Sequence, residues 1–176
     1  MNMTLAIWLV LGACAIAVAT DLRFRRIPNA LTATLAVAAL ALHGANGLAA
    51  FGIALATLVG VMFLGLIAFS FGWLGGGDVK LLAAGAAALG FPDAVPFLVY
   101  TSLGGGLLAI GFATVTGRLG TVLKSVGLLL RPFAYKGTQA VAPSNPIVLP
   151  YAVAIAFGAV AVALSHNAAP FLRLPL

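Results

Sequence analysis

An all-α, polytopic membrane protein with about six transmembrane helices is predicted by three features of the sequence. Apolar residues make up 63% of the 176-residue chain and charged residues only 7%, whereas soluble domains carry about 25% charged residues. The mean hydropathy is +1.19. The apolar residues fall into runs separated by short polar or Gly/Pro-rich breaks, and roughly 20 of them suffice for one helix to cross a bilayer. A single membrane-embedded domain is therefore expected over residues 1–176, with no length left for a separate soluble domain.

Met3 to Thr20 is a continuous apolar run with no Lys or Arg before it, followed at once by Asp21-Leu22-Arg23-Phe24-Arg25-Arg26. A secretory signal carries its positive charge in front. Despite the small residues Ala17-Val18-Ala19, the run therefore reads as an uncleaved first helix with its N-terminus outside. Pro28 can occupy the first turn of a second helix, where its missing N–H is harmless. That helix covers about 27–42 and ends at the turn-like His43-Gly44-Ala45-Asn46-Gly47. The third, about 48–71, is long enough to cross with tilt, and Trp73 beyond it suits the interfacial aromatic belt.

The fourth helix starts at the glycine-rich 75–80 stretch and carries Leu81 to Leu89 before Phe91-Pro92-Asp93-Ala94-Val95-Pro96 breaks it. The fifth covers about 97–116, where Gly104, Gly105, Gly106 and Gly111 allow a neighbouring helix to come close. From Arg118 to Arg131, Leu119, Val122, Leu123, Val126, Leu129 and Leu130 share one helical arc and Arg118, Lys124 and Ser125 the other. This is the pattern of a helix lying on a membrane surface. It belongs to an interfacial segment of about 117–147 that leads to a sixth helix at about 148–164.

A net charge of +6 would suggest nucleic acid in a soluble chain, but here the basic residues flank membrane helices, so anionic lipid headgroups are the expected partner and nucleic acid is not. With six helices and the N-terminus outside, Arg23, Arg25, Arg26, Lys80, Arg118, Lys124, Arg131 and Lys136 share one face, leaving Arg173 on the other. By the positive-inside rule the first face is cytoplasmic. Asp21 and Asp78 fall on that face and Asp93 opposite. Cys14 is the only cysteine, which excludes an intrachain disulfide and a multi-cysteine zinc site. His43 and His166 are expected on the outer side as interfacial polarity. No H-E-x-x-H exists, and neither a metal nor a cofactor is expected.

Asp21, Asp78 and Asp93 are the only acidic residues, with no Glu. A carboxylate at membrane depth costs on the order of 2.5 to 3.5 kcal/mol by insertion scales, and such groups are usually paired or functional. Two aspartates at one depth are what an aspartic protease needs, because like charges a few ångströms apart share one proton, so that one accepts a proton from water while the other donates to the carbonyl. Gly75, Gly76 and Gly77 would let a substrate backbone approach. The structural alternatives are that Asp78 is the N-cap of a helix starting at Val79 and that Asp21 neutralises Arg25 four residues on. The residues alone leave both alternatives open. Lys80, two residues from Asp78, does not face it on a helix and reads as a phosphate or substrate contact. Ser70 and Ser102 lack a G-x-S-x-G setting.

The segments Asp21-Leu22-Arg23-Phe24-Arg25-Arg26-Ile27-Pro28-Asn29 and Gly75-Gly76-Gly77-Asp78-Val79-Lys80-Leu81-Leu82-Ala83 resemble the two signatures of the type IV prepilin peptidases, GxGD-type intramembrane aspartyl proteases. Pro150-Tyr151-Ala152 resembles a further, weaker feature of that family. The resemblance implies catalytic Asp21 and Asp78, a prepilin or pseudopilin substrate, and cleavage of its leader at the cytoplasmic face of the bacterial inner membrane, within type IV pilus or secretion systems. Gly75, Gly76, Gly77, Lys80 and Arg25 are the expected substrate contacts. Longer members carry a cytoplasmic insertion with paired cysteines and also N-methylate the new terminus. This chain has one Cys and no such insertion, so it is similar to the short form of tight-adherence (Flp) pilus systems, and a protease without methyltransferase activity is expected. The rival class is a non-enzymatic membrane scaffold or a small proton-coupled transporter.

Overall fold

The computed structural model describes residues 3–117 and 150–167. The amphipathic helix expected at 118–131, the polar loop after it and the C-terminal tail lie outside the described residues. Six helices are present among the described residues: α1 (Met3–Phe24), α2 (Asn29–Gly44), α3 (Leu48–Ser70), α4 (Gly76–Leu89), α5 (Ala94–Val115) and α6 (Tyr151–Asn167). Two compact units divide the chain, Met1–Gly105 with Pro150–Leu176, and Gly106–Leu149. Of the second, the described part is the latter half of α5 and the turn to Gly117.

Length separates the helices into two groups. α1, α3 and α5 are long and apolar enough to cross a membrane. α2, α4 and α6 have 16, 14 and 17 residues. At 1.5 Å per residue α4 is about 21 Å long, short of a hydrocarbon core of about 30 Å.

α1 runs a turn beyond its apolar stretch, since nothing between Thr20 and Phe24 breaks a helix, and this puts Asp21 in its last turn. The helix stops where Arg25 takes the left-handed φ of 51°, uncommon for a side chain with a Cβ. The Arg25 N–H still donates to the Asp21 carbonyl at 2.8 Å. Pro28 is the residue before α2, with extended φ −61° and ψ 131°, where a proline fits without strain.

The core of the first unit is α4. From Ala83 to Leu89 every residue is buried, and the run of alanines lets neighbouring backbones come close. α3 meets it through Gly65, where a Cβ would stand 2.6 Å from Val79 Cγ1. Phe97, fully buried, fills the space over Gly85. The expected close approach at the α5 glycines occurs at two of the four, against α6: Gly104 lies under Phe157 and Gly105 under Tyr151, with Gly158 of α6 under Thr101, whereas among the described residues nothing lies within 4 Å of a Cβ at Gly106 or Gly111. α1 and α6 run antiparallel, since Thr4 and Trp8 share a crevice with Ala163 and His166.

α2 and α4 run parallel and are joined at both ends. At their starts Lys80 Nζ donates to Asn29 Oδ1 at 2.8 Å. At their ends the ring of His43 donates from Nε2 to the Ala88 carbonyl at 3.2 Å. His43 is buried, contrary to its expected role as interfacial polarity. The ring fits because Gly90, at φ +73°, has no Cβ, which would stand 2.6 Å from His43 Cε1. α3 turns Phe63, Leu64 and Leu66 outward, and the exposed rings of Phe71 and Trp73 stack at 5.2 Å beyond its end. This is the outward face expected of a helix in lipid.

Candidate active site

Four helix ends meet at one end of the first unit: the last turn of α1 and the first turns of α2, α4 and α6. They carry Asp21, Asn29, Asp78 with Lys80, and Tyr151. The glycines before Asp78 decide how its helix begins. Gly75 is the residue before α4, and Asp78, third in the helix, folds back so that Oδ2 accepts the Gly75 N–H at 3.2 Å. One orphan donor of the helix start is thereby satisfied. A Cβ on Gly75 would stand 2.7 Å from that carboxylate oxygen, so a side chain there would push Asp78 away. Asp78 thus helps to cap α4 from its third position rather than as the N-cap of a helix starting at Val79, because the glycines let the helix begin at Gly76 with Gly75 in the capping place.

Capping does not exhaust the group. Asp78 is half-buried, and burial first, then the negative charge of Asp21, push its carboxyl from 3.8 up to about 6, against the lowering pull of the Gly75 N–H. Two like charges within reach of each other favour holding a proton on one of them. The alternative partner for Asp21 loses its basis, because an i, i+4 pair with Arg25 needs a continuing helix and α1 ends at Phe24. Arg25 stands exposed at the left-handed turn, next to Arg26, while the Arg23 guanidinium lies 5.3 Å over the ring of Phe24.

The other expected substrate contacts divide. Gly76 meets Phe69 at an ordinary 3.7 Å, whereas a Cβ on Gly77 would come within 3.1 Å of Ile27 Cβ. Lys80 is exposed but already engaged with Asn29. Asp93 stands apart, just before α5, near Gly90 and the far ends of α2 and α4.

A model of the type IV leader peptidase family matches residues 8–110, more than half of the chain. The chain belongs to that family. The matched stretch holds both aspartates and the glycines before Asp78. No curated protein and no solved structure matches the chain significantly.

Two residues of the site carried no role in the sequence. Tyr151 was visible only as part of a weak motif, yet its phenol is raised by burial and then by the charge of Asp78. Its hydroxyl fits because a Cβ on Gly105 would come within 2.9 Å of it. Asn29 was visible only as the last residue of the first segment. The signal for both was a polar group at the very start of a short apolar helix.

Proposed function

We propose that this leader peptidase is an aspartic endopeptidase of the bacterial inner membrane, with its active face on the cytoplasmic side, that removes the leader of type IV or Flp-like prepilins and does not methylate the product. The observation that carries the proposal is that the carboxyl of Asp78 is raised to about 6 by burial and then by the charge of Asp21, an acid supplied by a separate segment.

In this mechanism Asp78 holds the shared proton and Asp21 is the base. Water held between them attacks the scissile carbonyl carbon and gives a proton to Asp21 while Asp78 protonates the carbonyl oxygen. The tetrahedral diol collapses as the C–N bond breaks. Asp21 returns its proton to the leaving amine, and Asp78 recovers one from the diol hydroxyl. The exposed backbone at Gly75 and the two Lys80 N–H groups not used by Asn29 are available for substrate carbonyls. Arg25 and its neighbours Arg23 and Arg26 are free to hold lipid phosphate or acidic side chains near the cleaved bond.

The test is co-expression with a candidate prepilin and mass measurement of the product, with membrane levels matched. The unaltered chain and Asp93→Asn are expected to give mature pilin, and Asp21→Asn and Asp78→Asn none. Asparagine can still accept the Gly75 N–H but cannot exchange the proton. Processing at normal rates by both Asp21→Asn and Asp78→Asn would leave the acids structural and favour a scaffold. The product mass also reports methylation, and an added methyl group made by this protein alone would overturn the single-activity assignment.

A further inference from the structure

The segment that follows Asp21 is not a free loop. Ile27 and Asn29 flank Pro28, whose extended backbone sends alternate residues to the same side. On α4, Gly77 and Lys80 are three residues apart and so share a face. The two pairs meet: Ile27 sits on Gly77, where an added Cβ would come within 3.1 Å of Ile27 Cβ, and Asn29 Oδ1 accepts from Lys80 Nζ at 2.8 Å. One contact is apolar and sterically strict, the other polar and directional. Asp78 lies between Gly77 and Lys80 in sequence but turns back to Gly75. Asp21 is one turn before the left-handed Arg25 that delivers the chain to Ile27.

We propose that Ile27 and Asn29 clasp Gly77 and Lys80 at two points and thereby set the spacing of the Asp21 and Asp78 carboxylates, making Asn29 and Lys80 positioning residues. The clasp rests on the dyad described above. It joins the segment that leads from Asp21 into α2 to the α4 turn that carries Asp78. The distant His43–Ala88 contact keeps α2 and α4 parallel, so that Asn29 and Lys80 stay in register. The clasp also gives Gly77, the third glycine of the Gly75-Gly76-Gly77-Asp78 run, a purpose other than substrate access.

The experiment compares purified protein on one prepilin substrate, measuring kcat and KM separately and the pH–rate profile. Asn29→Leu is expected to lower kcat roughly tenfold to a hundredfold with little change in KM, since a small displacement of catalytic groups is that costly, and Lys80→Met to lower kcat by a similar factor while also raising KM, because Lys80 faces the substrate as well. The double variant is expected to be no worse than the poorer single one, because both remove the same contact. Asn29→Asp, which keeps the acceptor and adds charge, is expected to stay within about threefold of the unaltered protein. A loosened clasp moves the carboxylates apart, so the alkaline limb of the profile shifts to lower pH in Lys80→Met, a change that general destabilisation would not cause. If Asn29→Leu fails to accumulate, Asn29→Ser, too short to reach Lys80, replaces it under the same criteria. Losses that multiply in the double variant, or an effect confined to KM, overturn the clasp alone. No cleavage by the unaltered chain overturns the peptidase assignment and the clasp with it.

Discussion

In the first turn of α4, Gly76, Gly77 and Asp78 are half-buried and Lys80 is exposed, whereas from Ala83 to Leu89 every residue is buried. The same helix thus has two environments. Its body is a short, small-residue rod packed among its neighbours, and it contributes rigidity. Its start contributes a carboxyl, an ammonium and two sterically strict glycines, Gly75 just before the helix and Gly77 within it. A carboxyl that must keep a raised proton affinity and still meet a peptide needs partial burial on a fixed support. A helix too short to reach across the bilayer supplies both. Changes in the body should act through stability, and changes in the first turn through chemistry.

The largest expected effect lies in the first turn. Asp78→Asn should lower the cleavage rate by on the order of a hundredfold to ten-thousandfold, the usual contribution of a positioned proton donor, at unchanged membrane abundance. The reverse is expected in the body: Ala86→Leu forces three heavy atoms into a fully buried site and should cost about 1–3 kcal/mol by overpacking, seen as a lower thermal midpoint in detergent with near-normal kcat for the folded fraction. Gly77→Ala is intermediate, since Ile27 must give way by a few tenths of an ångström. It should reduce kcat about tenfold with a smaller change in thermal midpoint. A loss of abundance without loss of specific activity would erase the distinction between the two regions. Asp93→Asn, the same chemistry away from the first turn, should leave the rate unchanged.

Dependence on pH sharpens the comparison further. Because the proposed mechanism needs a proton on Asp78, whose carboxyl is raised to about 6, cleavage should decline as pH rises through about 6. Stability moves with it. A carboxyl raised in the folded state stabilises fully below 3.8 and loses that contribution as pH rises through about 6. Asp78→Asn should therefore raise the thermal midpoint relative to the unaltered chain above about pH 6, and the gain should vanish below pH 3.8.

The all-helical character was legible because hydropathy reports length and exposure directly, and α3 falls where its apolar run does. The two acids were legible through scarcity: with three acidic residues in 176, each stands out, and glycines mark the second. The extension of α1 through Asp21 was not, because an apolar run stops at its first charge whether or not the helix does. Nor was the bond between Asn29 and Lys80, 51 residues apart, since no local period links a residue on one helix to its parallel neighbour. His43 misled for a related reason. A lone histidine beside Gly44 reads as a turn residue until the Ala88 carbonyl is brought against it.

The coupling of Asp21 to Asp78 can be observed directly, because aspartate labelled with carbon-13 at the side-chain carboxyl gives only three signals in a chain with three acidic residues. Titration of the detergent-solubilised protein, with signals assigned from Asp→Asn variants, should show the Asp78 carboxyl titrating near 6. In Asp21→Asn its midpoint should fall, since the neighbouring negative charge is gone. An Asp78 midpoint that does not move when Asp21 is replaced would contradict the dyad.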